Sequence, residues 1–203
     1  MDSVIDKVTD VLQREGVIQV EVSARHVHLC ESSLRILFGE GAALTPKRPL
    51  SQTGQYLAEE RVNLIGPGGR KDRVAILGPL RGETQVELSR SDCIAMGVEA
   101  PVRQSGDTKG SGAVTIEGPK GRLAIKEGVI IAQNHIHMTP ETAQALKLTD
   151  RQHVKVSVFS ERPLIYSDVL IRVHESFRTR MHIDFDEANA AMVSGFTLGK
   201  IIR

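Results

Sequence analysis

Five of the seven histidines fall in three short runs: Arg25-His26-Val27-His28-Leu29, Asn134-His135-Ile136-His137-Met138 and Met181-His182-Ile183-Asp184. The first two are one pattern written twice. Each is a His-aliphatic-His triplet that ends on a large apolar residue. Each follows β-branched residues (Val20 and Val22; Val129, Ile130 and Ile131) and precedes a helix-like segment. On an extended strand the side chains of residues i and i+2 share one face, about 6–7 Å apart. Two imidazoles so placed can converge on one metal ion while the aliphatic residue between them turns into a core. A lone His-x-His is a weak signal. Two copies in matching contexts, with His26 and His135 standing 109 residues apart, point to a metal site and to a chain of two related halves.

Neutral imidazole binds Zn²⁺ well, and a catalytic zinc uses three protein ligands with one position open. Five histidines do not divide into two triads, so a carboxylate is needed. Glu87 in Gln85-Val86-Glu87-Leu88 is the candidate, because it projects from the face opposite Val86 and Leu88. The plain alternative is a solvent-facing glutamate. Arg81 lies in Leu77-Gly78-Pro79-Leu80-Arg81-Gly82, where glycine and proline fix the backbone and allow close approach. A guanidinium matches phosphate in a bidentate fork; the alternative is a surface arginine in a turn. His153 and His174 lack paired spacing and read as structural or surface residues. Cys30 occupies the helix-cap position that Thr139 holds in the second copy, which argues against a ligand role.

The elements that must position these residues are short strands. Residues 17–23, 61–65, 73–77, 84–88, 101–103, 113–117, 122–126, 128–132, 153–159, 164–173, 180–184 and 197–202 read as strands, separated by turns such as Gly66-Pro67-Gly68-Gly69 and Gly118-Pro119-Lys120-Gly121. Residues 41–54 read as a loop. Short helices are expected over 31–38, closed by Gly39; before Met96, capped by Ser91 or Asp92; from Thr139-Pro140-Glu141; and to Val193, capped by Asp186. Residues 3–15 form an amphipathic helix with Val4, Ile5, Val8, Val11 and Leu12 in one stripe, capped by Asp2 or Ser3 and stopped by Gly16. That stripe is expected to pack on its own domain, the sharper alternative being a docking peptide for another protein. Many short strands with few short helices suggest barrel-like β architecture.

Composition excludes several classes. The chain has 203 residues, 40% hydrophobic and 25% charged, which is ordinary for a globular protein. Its 3% aromatic content gives no platforms for stacking bases, and a net charge of +1 gives little phosphate-backbone attraction, so no nucleic-acid partner is expected. No apolar run reaches membrane-spanning length and no signal-peptide core is present. Two cysteines do not make a disulfide framework, so a cytoplasmic protein with reduced thiols is expected. Neither a Walker-type loop nor a strand–GxGxxG–helix unit occurs.

Taken together, the motifs resemble the PduL-type phosphate propanoyltransferases, the phosphotransacylases of bacterial microcompartments. The matching stretches run from Ser23-Ala24-Arg25-His26-Val27-His28-Leu29 through Gly54-Gln55-Tyr56, Leu77-Gly78-Pro79-Leu80-Arg81, Gln85-Val86-Glu87, Pro101-Val102-Arg103 with Ser105-Gly106, and His135-Ile136-His137-Met138 to Met181-His182-Ile183-Asp184 with Asp186-Glu187-Ala188-Asn189. The resemblance implies a mainly β fold with short α-helices, built as two β-barrel domains related by an internal repeat. One barrel would take residues 17–24 and 133–203 and the other 25–132. Residues 1–16 would be a candidate encapsulation peptide. It implies a homodimer inside a microcompartment, whose core or shell proteins the N-terminal helix would meet. It also implies two Zn²⁺ per active site, with His26, His28 and Glu87 on one and His135, His137 and His182 on the other. Arg81 would bind phosphate; Val22, Ser23 and Asn189 would contact coenzyme A.

The reaction so implied is acyl-CoA plus phosphate to acyl phosphate plus CoA, with a propanoyl or acetyl group, by direct attack of metal-bound phosphate on the thioester. Two alternatives share the ligand residues: a zinc-dependent thioester hydrolase, and a non-enzymatic microcompartment scaffold with structural metals. Two closed structural sites would need about eight ligands rather than six.

Overall fold

The structure is a computed structural model that describes residues 4–202. It divides into two compact units, residues 4–23 with 133–202 and residues 24–132, each around its own apolar core. We call these the first and second barrels.

The first barrel is made of β1 (Val17–Val22), β10 (His135–Met138), β11 (His153–Phe159), β12 (Ile165–Val173), β13 (Arg180–Ile183) and β14 (Thr197–Ile202), closed in the order β1-β13-β10-β12-β11-β14. The second contains β2 (His26–His28), β3 (Pro46–Pro49), β4 (Tyr56–Ile65), β5 (Arg70–Gly78), β6 (Gln85–Glu87), β7 (Val102–Arg103), β8 (Gly112–Glu117) and β9 (Arg122–Ala132). Six of these close a ring, β9-β6-β2-β5-β4-β8, because β8 pairs with both β4 and β9; β3 and β7 are additions at β4 and β9.

The two rings have the same sequence of pairings. β1 runs parallel to β13 as β9 does to β6; β13 is antiparallel to β10 as β6 is to β2; β10 is parallel to β12 as β2 is to β5. The remaining three contacts are antiparallel in both. In chain order each repeat begins with the strand just before a His-x-His triplet, β1 before β2 and β9 before β10. Those leading strands are exchanged: β1 completes the ring of the second repeat, and β9 completes the ring of the first. This is why the first barrel is discontinuous in sequence.

Helices α2 (Glu31–Phe38) and α4 (Pro140–Leu146) follow the two His-x-His strands. Helices α3 (Arg90–Met96) and α5 (Phe185–Ala191) follow β6 and β13. Their caps stand earlier than the sequence pattern placed them. Ser89, not Ser91 or Asp92, accepts from the Asp92 N–H, and Asp184, not Asp186, forms a capping box with Glu187. In both cases the acidic residue taken for the cap is inside the first turn, where it also meets the helix N-terminus favourably. Two further differences concern strands. Residues 46–49 form β3 on the edge of β4 within the expected loop. Residues 122–132 form one strand rather than two, because Gly128 carries the ladder through φ +129° where a side chain would meet the Thr84 carbonyl at 2.9 Å.

Helix α1 (Val4–Arg14) corrects another expectation. Val4, Val8 and Val11 of its apolar stripe do not pack on their own barrel, being 78%, 53% and 60% exposed. The helix meets its barrel through the opposite face, where Gln13 Nε2 donates to the Thr179 carbonyl at 3.3 Å. The expected caps Asp2 and Ser3 lie outside the described residues, and Gly16 ends the helix at φ +74°.

Candidate metal centres

The register brings the histidines together. Val27 and Ile136, the middle residues of the triplets, are fully buried in the two cores. The flanking histidines therefore share the other face of each strand. On that face the cross-strand partner of His26 is Glu87, and the cross-strand partner of His135 is His182. Two three-residue groups result, His26-His28-Glu87 and His135-His137-His182, with the donor atoms within each lying no more than 4.8 Å from one another.

In the second barrel, His26 Nδ1 faces the Ala24 carbonyl at 2.8 Å and His28 Nδ1 faces the Leu77 carbonyl at 3.3 Å. A carbonyl only accepts, so each neutral ring carries its hydrogen on Nδ1 and aims a lone pair from Nε2. The two Nε2 atoms are 3.2 Å apart, and Glu87 Oε2 is 3.4 Å from that of His26. Two lone pairs and a carboxylate oxygen thus converge in a buried place, an arrangement that calls for a cation. Tetrahedral Zn²⁺ with bonds near 2.0–2.1 Å would set its ligands about 3.3–3.4 Å apart, so the donors fit that ion in type and spacing.

Protons act on the same atoms. Burial works to lower the His26 pKa, but the Glu87 carboxylate outweighs it and raises the value. Burial, with the charges of His26 and Arg81, pushes His28 down to about 3. Burial would raise the Glu87 carboxyl, yet His26, His28 and the Ser105 hydroxyl hold it well below the usual carboxylate range. Glu87 is 9% exposed, so the solvent-facing alternative does not hold. Nor is Arg81 a simple surface residue. Its N–H donates to the Leu29 carbonyl at 2.9 Å, its Nη1 donates to Ser105 Oγ at 3.0 Å, and its charge reaches both histidines.

In the first barrel, His135 Nδ1 faces the Gln133 carbonyl at 2.8 Å, as His26 faces Ala24. The ring centroids of His135, His137 and His182 are 4.7–5.2 Å apart. Phe177 packs against His137 at 4.0 Å. Glu21 stands opposite His182 on β1, with Oε1 3.1 Å from Arg180 Nε and Oε2 3.9 Å from His182 Nδ1.

The other expected site residues lie elsewhere. The Ser23 N–H donates to the Ile183 carbonyl at 2.7 Å, and Val22 pairs with Ile183, so both stand at the end of β13 that leads into α5, where Asn189 is exposed. His153 pairs with Asp168, and His174 pairs with Ser176 and packs at 5.4 Å on Phe177, the ring that also meets His137; neither belongs to a cluster among the described residues. Cys30 joins neither group among the described residues. Burial works to raise its pKa, but hydrogen bonds with Ser32, Ser33 and Thr84 bring the thiol down to about 6.

Several supporting residues escaped the sequence pattern. Arg25, just before His26, bonds Asp92 of α3 at 2.7 Å, and Lys71 bonds the same carboxylate at 3.0 Å. Asn134, just before His135, bonds Glu187 of α5 at 2.5 Å. The two acidic residues hold the same third position of equivalent helices, a placement that correct capping assignments would have exposed. Gln85 shares the face of Glu87 and bonds it at 2.7 Å; strand alternation alone was a signal for it.

Comparison with known proteins agrees with this arrangement. A family profile described as phosphate propanoyltransferase matches residues 19–194. Proteins named phosphate propanoyltransferase from Thermotoga maritima and Clostridioides difficile are 50% and 44% identical to the chain, covering all of it and 98% and 97% of their own lengths. That from Listeria monocytogenes is 43% identical over 99% of the chain and 94% of its own length. With both histidine triplets and the third residue of each cluster inside the matched span, the chain belongs to the phosphate propanoyltransferase family.

Proposed function

We propose that the chain is a zinc-dependent phosphate acyltransferase. It converts a short-chain acyl-CoA, propanoyl-CoA or acetyl-CoA, and phosphate to acyl phosphate and CoA. One observation carries the metal dependence: the buried convergence of the His26 and His28 lone pairs with the Glu87 carboxylate, beside a matching group of three histidines in the other barrel, of which His137 is buried and His135 and His182 half-buried. His26, His28 and Glu87 hold one Zn²⁺, and His135, His137 and His182 hold a second. When bound, zinc supplies a Lewis acid for charge on carbonyl and phosphate oxygens and favours the thiolate form of a departing thiol.

The chain's own residues do the rest. Arg81 binds phosphate, held for that task by the Leu29 carbonyl and Ser105. A fixed guanidinium replaces the water that makes free phosphate a poor nucleophile. A phosphate oxygen then bonds to the thioester carbon as the carbon–sulfur bond breaks, and CoA leaves as thiolate. Val22, Ser23 and Asn189 contact CoA. No acyl-enzyme forms; the hydrogen bonds of Cys30 run to three hydroxyls rather than to a base.

The outward apolar stripe of α1 supports a docking peptide for microcompartment core or shell proteins. Among the described residues no helix is long and apolar enough to cross a membrane. The large exposed apolar side chains Phe159, Ile165 and Phe196 support a homodimer.

The test is CoA release from propanoyl-CoA with and without phosphate, on protein of known metal content. Release is expected to require phosphate and to be lost in His135→Ala together with one zinc. Equal release without phosphate would make the protein a thioester hydrolase, and none from the fully metallated chain would leave a scaffold.

A further inference from the structure

Gln85 is 2% exposed and faces the metal cluster from the strand that carries Glu87. Its orientation is fixed from outside the cluster. The Gly106 N–H can only donate, and it lies 2.7 Å from Gln85 Oε1. The amide nitrogen must therefore point the other way. There Nε2 donates to Glu87 Oε1 at 2.7 Å and to Ser105 Oγ at 2.9 Å. Ser105 Oγ also accepts from Arg81 Nη1 at 3.0 Å. One buried carboxamide thus touches the carboxylate of the metal cluster and the hydroxyl that holds the phosphate-binding arginine.

The consequence for Glu87 is geometric. Its Oε1 is taken by a neutral donor, and its Oε2 is the oxygen 3.4 Å from His26 Nε2. In the first barrel the equivalent position holds a different residue: Arg180 stands opposite His137 and pairs with Glu21, whereas Gln85 stands opposite His28.

Building on the metal reading above, we propose that Gln85 is a positioning residue of the phosphate acyltransferase reaction. It holds Glu87 to the metal through Oε2 alone, and through Ser105 it sets Arg81 at a fixed distance from that metal. Gln85 touches neither metal nor substrate; it acts through Glu87 and Arg81. Residues in such outer positions typically change metal affinity or activity by about 10–100-fold.

Cobalt(II) titration of the full metal-free chain, followed by visible absorption, tests the assignment. Wild type is expected to bind two ions. Gln85→Leu is expected to weaken one of them by about 10–100-fold and leave the other unchanged. The same variant raises KM for phosphate while KM for propanoyl-CoA stays put, a split that a general loss of stability would not produce. Gln85→Asn, which keeps an amide but cannot span Gly106 and Glu87 together, gives a smaller change of the same kind and serves if the leucine variant does not fold. In a Glu87→Ala background, Gln85→Leu has no further effect on cobalt affinity, because its partner is gone. Gln85 variants that bind both ions as tightly as wild type, or effects that add in the double variant, would overturn the role of Gln85 and leave the metal reading intact. A wild-type chain that binds no cobalt would overturn the metal reading itself.

Discussion

The two barrels hold the same three-residue site but place its negative charge on different strands. In the second barrel the carboxylate is in the cluster, as Glu87 on β6, and the residue beside it on β9 is the buried Ile130. In the first barrel the equivalent cluster member is His182 on β13, and the carboxylate has moved one strand outward to Glu21 on β1. A carboxylate ligand cancels one unit of a cation's charge, and three imidazoles cancel none. The strand order, the exchanged leading strand and the register are common to both; the electrostatics are not. A duplicated scaffold thus offers two unequal sites, one with Gln85 and Arg81 arranged around its carboxylate, the other with Phe177 against His137.

The largest effects should come from breaking either cluster. His28→Ala and His137→Ala are each expected to remove one zinc and to lower kcat/KM by about 10³-fold or more, the scale of a lost Lewis acid; metal analysis beside steady-state kinetics checks both. Rewriting one site as the other is a sharper probe. Glu87→His should keep its zinc yet lower kcat/KM by about 10–100-fold, because Gln85 loses its acceptor. Activity at the wild-type level would show that the two sites are interchangeable. Arg81→Lys keeps the charge but not the planar fork, so KM for phosphate should rise by roughly tenfold while KM for propanoyl-CoA holds.

Smaller effects test the supports. Burial works to raise the Asp92 pKa, but the bonds of Arg25 and Lys71 lower it below the ordinary value. A group depressed in the fold stabilises it above the unfolded pKa and loses that contribution as pH falls through the folded one. The stability gap between wild type and Asp92→Asn, measured by urea unfolding, should therefore be open at neutral pH and narrow as pH drops below about 4. The helix caps give the smallest difference. Thr139 accepts from the Thr142 N–H, whereas Cys30, its equivalent, makes no side-chain cap bond. Thr139→Ala should cost about 1 kcal/mol and Cys30→Ala less, read by the same unfolding curves.

What could be read before folding was local. The His-x-His triplets, the Thr139-Pro140 helix start and the alternation that buries Val27 and Ile136 are written in adjacent residues. Glu87 and His182 could be named as candidates from the sequence, but their assignment to His26-His28 and His135-His137 came from the family resemblance alone; locally nothing near His26 announces Glu87 as its partner across the ladder, and the pairing of His135 with His182 spans 47 residues. The exchange of β1 and β9 is likewise a property of ring closure. Gly128 reads as a break because glycine is depleted in strands, yet its positive φ, open to a residue without a side chain, lets the strand run through it. The outward face of α1 differs from the expectation because amphipathicity states that a helix has an apolar face, not what covers it.

The central claim is that both barrels carry a working metal. The most direct measurement is zinc content together with phosphate-dependent CoA release, in wild type and in His28→Ala and His137→Ala. Two zinc ions per chain in wild type, one in each variant, and turnover in wild type alone would be the expected result. Full turnover after both ions have been stripped, or in a variant that retains only one, would contradict it.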